Sequence, residues 1–147
     1  MLDTHQKFMT RCLELADIAK GKKKTAVGSL VVKNDMVIGE GWEGDPALPE
    51  QLSHAEVSAM LAAIKNAGAR DLKGCTLYTT VEPCFMCTYL IRQLQIDKVV
   101  YGTSAAEIGG DTSAYPILQA GDIKKWAEPP VVLRGILSDS CKAALKK

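Results

Sequence analysis

No stretch of the 147-residue sequence comes near the roughly 18 consecutive apolar residues of a membrane-spanning helix. The opening segment, MLDTHQKFMTRCLELADIAK, sets apolar side chains at helical spacing among charges throughout, and so lacks the unbroken apolar core of an export signal. A dominant charge is missing too: 18 basic residues face 17 acidic ones, and a net charge of +1 gives no broad field for drawing in a polyanion. The five cysteines are odd in number and irregular in spacing, which argues against a disulfide scaffold. Histidine is scarce, with only His5 and His54. Internal repeats, low-complexity tracts and linkers are absent. The expectation is one cytoplasmic domain over residues 1–147, without membrane attachment and long enough to bury a core.

What is present reads as alternating helices and strands. Residues 3–20 have Phe8, Cys12, Leu15 and Ile18–Ala19 on one helical face, and GKKKTA ends that helix. VGSLVVKNDMVIGEGW is two apolar runs around Asn34-Asp35, the pattern of a hairpin. A polar loop over 43–53 leads to HAEVSAMLAAIKNAG, a helix with Gly68 as its stop. CTLYTTV is a short strand, Pro83 suits the first position of a helix running to about Leu94, and KVVYG is a further strand. Residues 102–121 read as a glycine-bearing loop, PPVVLRGIL as the last strand and DSCKAALKK as a terminal helix. This order predicts an α/β fold with helices on both faces of a sheet, mixed because of the early hairpin.

Cys84 and Cys87 alone could be a redox pair, half of a metal site or two buried hydrophobes. As an i,i+3 pair at a helix N-terminus, both sulfurs lie on one side of a turn, where the helix dipole favours thiolate. Zinc takes thiolate and imidazole in tetrahedral geometry and, when catalytic, keeps one position for water. The third ligand falls to His54, which opens the other central helix. Two residues on, Glu56 can reach the same point beyond that helix end and act as base toward the water. Cys12, Cys75 and Cys141, in apolar surroundings, read as inert core residues. His5 reads as a surface residue near a frayed terminus, and the run GKKK at 21–24, which could touch phosphate, as a solvated turn after the helix.

HAE followed by PCFMC resembles the H-x-E…P-C-x-x-C signature of the cytidine-deaminase-like zinc deaminases. VIGEGWE, LYTTVEPCFMC, DKVVYG and GILSD look like the matching blocks of bacterial tRNA adenosine deaminases and of guanine and cytosine deaminases. The resemblance implies a three-layer α/β/α cytidine-deaminase-like domain with a mixed sheet of about five strands. It implies one zinc ion held by His54, Cys84 and Cys87, and Glu56 moving a proton from water to a ring nitrogen before ammonia leaves. Substrate contacts are implied at Val27, Gly28, Ser29, Glu43, Glu82, Pro83 and Phe85, and the protein is expected to be a homodimer.

The substrate expectation rests on a departure from the family. Many relatives carry an asparagine where this chain has Glu43, and an ionised carboxylate only accepts hydrogen bonds. Inside the pocket Glu43 would select an N–H-bearing edge, such as that of guanine, isocytosine, a pterin or an aminotriazine. The loop GTSAAEIGGDTSAYP has no lysine or arginine and carries Glu107 and Asp111, and the longer basic C-terminal helix of the tRNA enzymes is missing. The sequence therefore favours deamination of a free nucleobase or related aminoheterocycle, with a tRNA-specific adenosine deaminase as the alternative. An idle zinc protein acting through its surface is a third reading, and the intact Glu56 speaks against it. Trp42 and Phe85 are open between pocket and core; Tyr115 and Trp126 lean to core or subunit contact.

Overall fold

The computed structural model describes residues 3–146. Helix α1 (Thr4–Gly21) starts on a reciprocal cap, in which the Asp3 carboxylate accepts from the Gln6 amide and the Gln6 side chain accepts from the Asp3 amide. The hairpin of β1 (Gly28–Lys33) and β2 (Met36–Trp42) turns on Asn34 and Asp35, both left-handed at φ 51° and 62°, which suits the twist of a two-residue turn. Helix α2 (Ala55–Ala67) ends on Gly68 in the left-handed region, followed by β3 (Thr76–Val81), α3 (Phe85–Gln93) and β4 (Lys98–Thr103). The last elements are β5 (Val131–Leu133) and α4 (Ser138–Ala144).

The sheet order is β2-β1-β3-β4-β5, antiparallel around β1 and parallel from β3 onward. Strand alternation sorts the core onto two faces. Leu30, Val32, Tyr78 and Val100 meet Phe8, Met9, Cys12 and Leu15 of α1 and Cys141 of α4. Val31, Leu77, Val99 and Tyr101 meet Ala59, Met60 and Ala63 of α2 and Ile91 of α3. The expected mixed, five-stranded α/β/α arrangement is what the chain adopts.

Local differences have physical causes. The α3 helix starts at Phe85 with Cys84 as its cap, not at Pro83, because strand-like backbone persists past β3: Glu82 N–H donates to Thr103 O, and Cys84 bridges to Gly109. The last strand is three residues long, not nine, since the chain bends at Gly135, whose φ is 77°. The terminal helix ends at Ala144; Lys147 lies outside the described residues. Ile18 is 39% exposed, and Met9 and Ala16 take its place in the buried stripe. His5 is half-buried, its Nδ1 2.9 Å from the Tyr78 hydroxyl. Cys12, Cys75 and Cys141 are buried, as expected. None of the described helices is long and apolar enough to cross a membrane.

Two buried charged groups hold the irregular segment between β4 and β5. Arg92 of α3 donates to the carbonyl oxygens of Ile117 and Ala120 at 2.8 and 2.7 Å, with the Trp126 ring over its guanidinium. Asp111 accepts from Tyr101 at 2.6 Å and from Arg134 Nη2 at 2.8 Å. On the other flank, β2 lies so close to α2 that a Cβ on Gly41 would run into the Ala55 carbonyl and the Ala59 nitrogen. Gly41→Ala should therefore destabilise the protein by about 1–3 kcal/mol through overpacking. Urea unfolding measures this, and an unchanged midpoint would mean that backbone contact does not set the spacing.

Candidate metal and catalytic site

Every segment of the site leaves the same end of the sheet. Gly28 pairs with Trp42 there, and Val81 with Thr103, so the 25–27, 43–53, 82–84 and 104–112 stretches all emerge together. Parallel α/β sheets offer ligands this end, beyond the carboxyl ends of their strands. His54 is the extended cap of α2 (φ −85°, ψ 145°) and Cys84 that of α3 (φ −72°, ψ 178°), and neither spends its side chain on capping. Both side chains point past the helix ends, and Cys87 joins them from the first turn of α3.

His54 Nδ1 lies 3.5 Å from Cys84 Sγ and 3.6 Å from Cys87 Sγ, and the sulfurs are 3.7 Å apart. A tetrahedral zinc with Zn–S of about 2.3 Å and Zn–N of about 2.0–2.1 Å requires edges of about 3.8 Å between sulfurs and about 3.6 Å between nitrogen and sulfur. The three donors already form one face of that tetrahedron, and Nδ1 is the ligand nitrogen. Among the described residues this is the one His/Cys/carboxylate cluster with such spacing. Without the ion, Cys84 is drawn down to about 4, first by the hydrogen bond from Cys87 and then by that from His54. His54 is raised to about 9 chiefly by Cys84, and Cys87 holds its proton more tightly, chiefly because of Cys84. A cation entering the triangle displaces those protons.

The cleft beside the triangle has a volume of about 140 Å³. Glu56 and Glu43 line it, with Val27 and Val81 as apolar wall and Ala105 and Ile108 at the far side. Glu56 is 4% exposed, and burial pushes its carboxyl up to about 8. Glu43 is also raised, by burial first, with His54 opposing the shift. Of the other expected contacts, Val27 and Glu82 reach the cleft lining, whereas Gly28, Ser29, Pro83 and Phe85 are not part of it. Gly28 lies where a Cβ would strike the Cys12 carbonyl of α1, and Ser29 Oγ donates to Tyr78 O at 2.7 Å inside the sheet. Pro83 is buried, and Phe85 sits edge-on to Tyr115 at a centroid distance of 6.2 Å. Trp42 packs toward the α1 side of the sheet. Tyr115 is 68% exposed and no part of the core, while Trp126 covers Arg92.

Glu82 works through its side chain in a way its sequence position does not reveal. The carboxylate accepts from the amides of Thr112, Asp111 and Ala105 at 2.7, 2.9 and 3.0 Å, and from the Thr112 and Ser104 hydroxyls at 2.8 and 3.1 Å. Burial alone would raise its pKa, but these donors outweigh burial and hold it below its ordinary 4.5. It thereby fastens the loop that brings Ala105 and Ile108 to the cleft. Thr25, Val81, Ala105 and Ile108 were not legible as site residues, because no local motif marks them.

The model of the cytidine and deoxycytidylate deaminase zinc-binding region matches residues 2–103. The chain belongs to this family. The deaminase is 31% identical over 140 residues to a tRNA-specific adenosine deaminase of Streptococcus pyogenes serotype M18 (strain MGAS8232), covering 95% of this chain and 86% of that one. Among solved structures it resembles one from a study of A-to-I editing by tRNA:A34 deaminases at the wobble position, with a TM-score of 0.86, 25% identity and coverage of 95% and 99%. It also resembles guanine deaminase from Bacillus subtilis, with a TM-score of 0.63, 33% identity and coverage of 68% and 64%. The deaminase is thus a zinc-dependent hydrolase of nucleobase or nucleoside amino groups, with one zinc fitted by His54, Cys84 and Cys87.

Glu82→Ala would leave several buried donors unpaired, at about 1–3 kcal/mol each in the limit where none finds water. The expected result is rapid proteolysis within 104–113 and loss of amide protection at Ala105, Asp111 and Thr112. In the parent protein this protection should be full at neutral pH and fade as the pH falls through the depressed Glu82 pKa, because protonation removes an acceptor. Hydrogen exchange across that range is the measurement, and loop protection indifferent to both acid and the substitution would contradict the assignment.

Proposed function

We propose that the protein deaminates adenosine carried in a tRNA. The observation that carries this reading is whole-length agreement with a tRNA:A34 deaminase structure, 95% of one chain on 99% of the other. The cleft geometry is compatible. Its volume of about 140 Å³ lies well below the roughly 300–1,000 Å³ of pockets that enclose a drug-sized ligand. One flat heterocycle enters, and whatever is attached to it stays at the mouth. The expectation of a free base therefore yields first place to the alternative.

In this reading the buried Glu56 takes a proton from water and delivers it to the ring nitrogen beside the amino-bearing carbon. The hydroxide oxygen bonds to that carbon, and a second transfer, of the new hydroxyl's proton to the amino nitrogen, releases ammonia as the C–N bond breaks and a carbonyl forms. A carboxyl tuned upward by burial suits both directions of transfer. Zinc, when bound, acidifies a water toward a pKa of about 7. Glu82 and Cys84, which line the cleft on either side of the buried Pro83, are the backbone positions available to the departing amino group. Glu43, at the cleft edge, accepts from a ribose hydroxyl, a donor that RNA supplies. A homodimer belongs to the proposal, with Tyr89 and Tyr115, 53% and 68% exposed, offering aromatic surface.

Glu43 also supports a second reading, a free guanine-like base whose N–H edge meets an acceptor-only carboxylate. The two separate in one assay. Zinc-loaded protein is incubated with an adenosine-bearing anticodon stem-loop, guanine, isocytosine, cytosine and free adenosine, with ammonia release and inosine content measured. Inosine in the stem-loop is expected. Guanine turnover without RNA turnover would overturn the first reading and establish the second. Glu56→Gln should retain one zinc and lose at least about 10²–10⁴ in rate, the usual range for a positioned acid–base group.

A further inference from the structure

The end of α1 carries Lys20, Lys22, Lys23 and Lys24 within five positions. The fold sets this turn against the end of α4, where Lys20 Nζ donates to the Lys146 carbonyl at 3.2 Å. Between the two lies a groove of about 520 Å³ lined by Lys20, Lys23, Lys24, Thr25 and Lys146. Lys23, Lys24 and Thr25 also line an adjoining hollow with Glu43 and Ser53, and Thr25 and Glu43 line the catalytic cleft. A continuous surface track therefore runs from the cleft past Thr25 into the lysine groove.

Its charge is only partly met within the chain, Lys20 by a neutral carbonyl and Lys24 by one distant carboxylate. Lys24 lays its stem across Gly44 and has its ammonium 3.8 Å from Glu50. Among the described residues no carboxylate comes within ion-pair distance of Lys20, Lys23 or Lys146. The partial negative charge gathered where α1 and α4 both end at the groove, about half an elementary charge from each helix, accounts for about one lysine. It does not account for further ammonium groups around the same groove, in a chain whose net charge is only +1. Lys23 moreover has φ 61°, a left-handed position just past a helix end that ordinarily goes to glycine. A side chain there costs about 1–2 kcal/mol, and the one present is a lysine that lines the groove.

We propose that this groove is a phosphate subsite, which holds a phosphate ester belonging to the same molecule as the base in the cleft. It rests on the reading of an RNA substrate: the phosphate is then a backbone phosphodiester flanking the reacting nucleotide, whereas on a mononucleotide it is the 5′-phosphate. Ammonium groups on a solvated groove suit this ligand, since they neutralise phosphate charge and release counterions without reading the base.

The test uses zinc-loaded Glu56→Gln protein, titrated with a labelled anticodon stem-loop and with adenosine 5′-monophosphate between about 50 and 200 mM salt. Adding Lys20→Gln and Lys23→Gln should weaken stem-loop binding about tenfold at low salt and flatten the log–log salt slope by about one to two units. Lys73→Gln with Lys98→Gln, at the opposite end of the sheet, serves as the charge control and should leave the slope unaltered. Loss confined to the stem-loop identifies the phosphodiester; equal loss with the mononucleotide identifies a 5′-phosphate. Unchanged affinity and slope without Lys20 and Lys23, or no binding of either ester by the parent, overturns the subsite. If lysine-dependent binding persists while the active protein forms no inosine, the RNA-editing reading falls and the subsite stands.

Discussion

The distance between two helix starts is the constraint on which the site depends. Zinc chemistry tolerates only a few tenths of an ångström in donor spacing, and the donors here come from the caps of α2 and α3, thirty residues apart in sequence. The parallel β3–β4 pair and the helices packed on one sheet face fix both caps before any ion arrives. The cost is visible in protonation. Three groups that would rather not share charge are held at 3.5 to 3.7 Å, so Cys84 ionises while His54 and Cys87 keep their protons. Such mutually opposed shifts mark a place arranged for chemistry more than for stability.

Around this triangle, buried charge does different work at different depths. Glu56 is buried among groups that disfavour its ionisation, which leaves it able to give and take protons near neutrality. Glu82, only one residue before the Pro-Cys step, is equally inaccessible but surrounded by N–H and O–H donors, and stays ionised. Two glutamates of one site are thus driven in opposite directions, Glu56 upward by burial and Glu82 downward by the donors around it, and only the second is spent on holding a loop. Arg92 and Asp111 extend the second role, satisfying backbone and side-chain groups of a segment with little regular structure of its own.

Much of this was readable locally. The hairpin around Asn34-Asp35, the stop at Gly68 and the H-x-E and P-C-x-x-C pairs depend on neighbours a few residues away, so the chain states them in one place. Gly28 and Ser29 show where that reading ends. Both lie at the correct end of the sheet, yet one is small because α1 crosses it and the other turns its hydroxyl to Tyr78 within the sheet. Strand alternation gives two faces without saying which face a helix will cover.

The sequence by itself determined the His/Cys/Cys ligand set and the order of α and β elements, and it marked Glu56 as the candidate base beside them, since these follow from side-chain chemistry and short-range periodicity. Only the tertiary structure decided what surrounds them. The loop of Ala105 and Ile108 closes on the cleft because Glu82, more than twenty residues earlier, gathers its amides. The lysines of residues 20–24 become one groove because the chain returns to them at Lys146, 126 residues after Lys20. Interactions that close such long loops carry an entropy cost only the assembled core can offset, and no local pattern in the chain announces them.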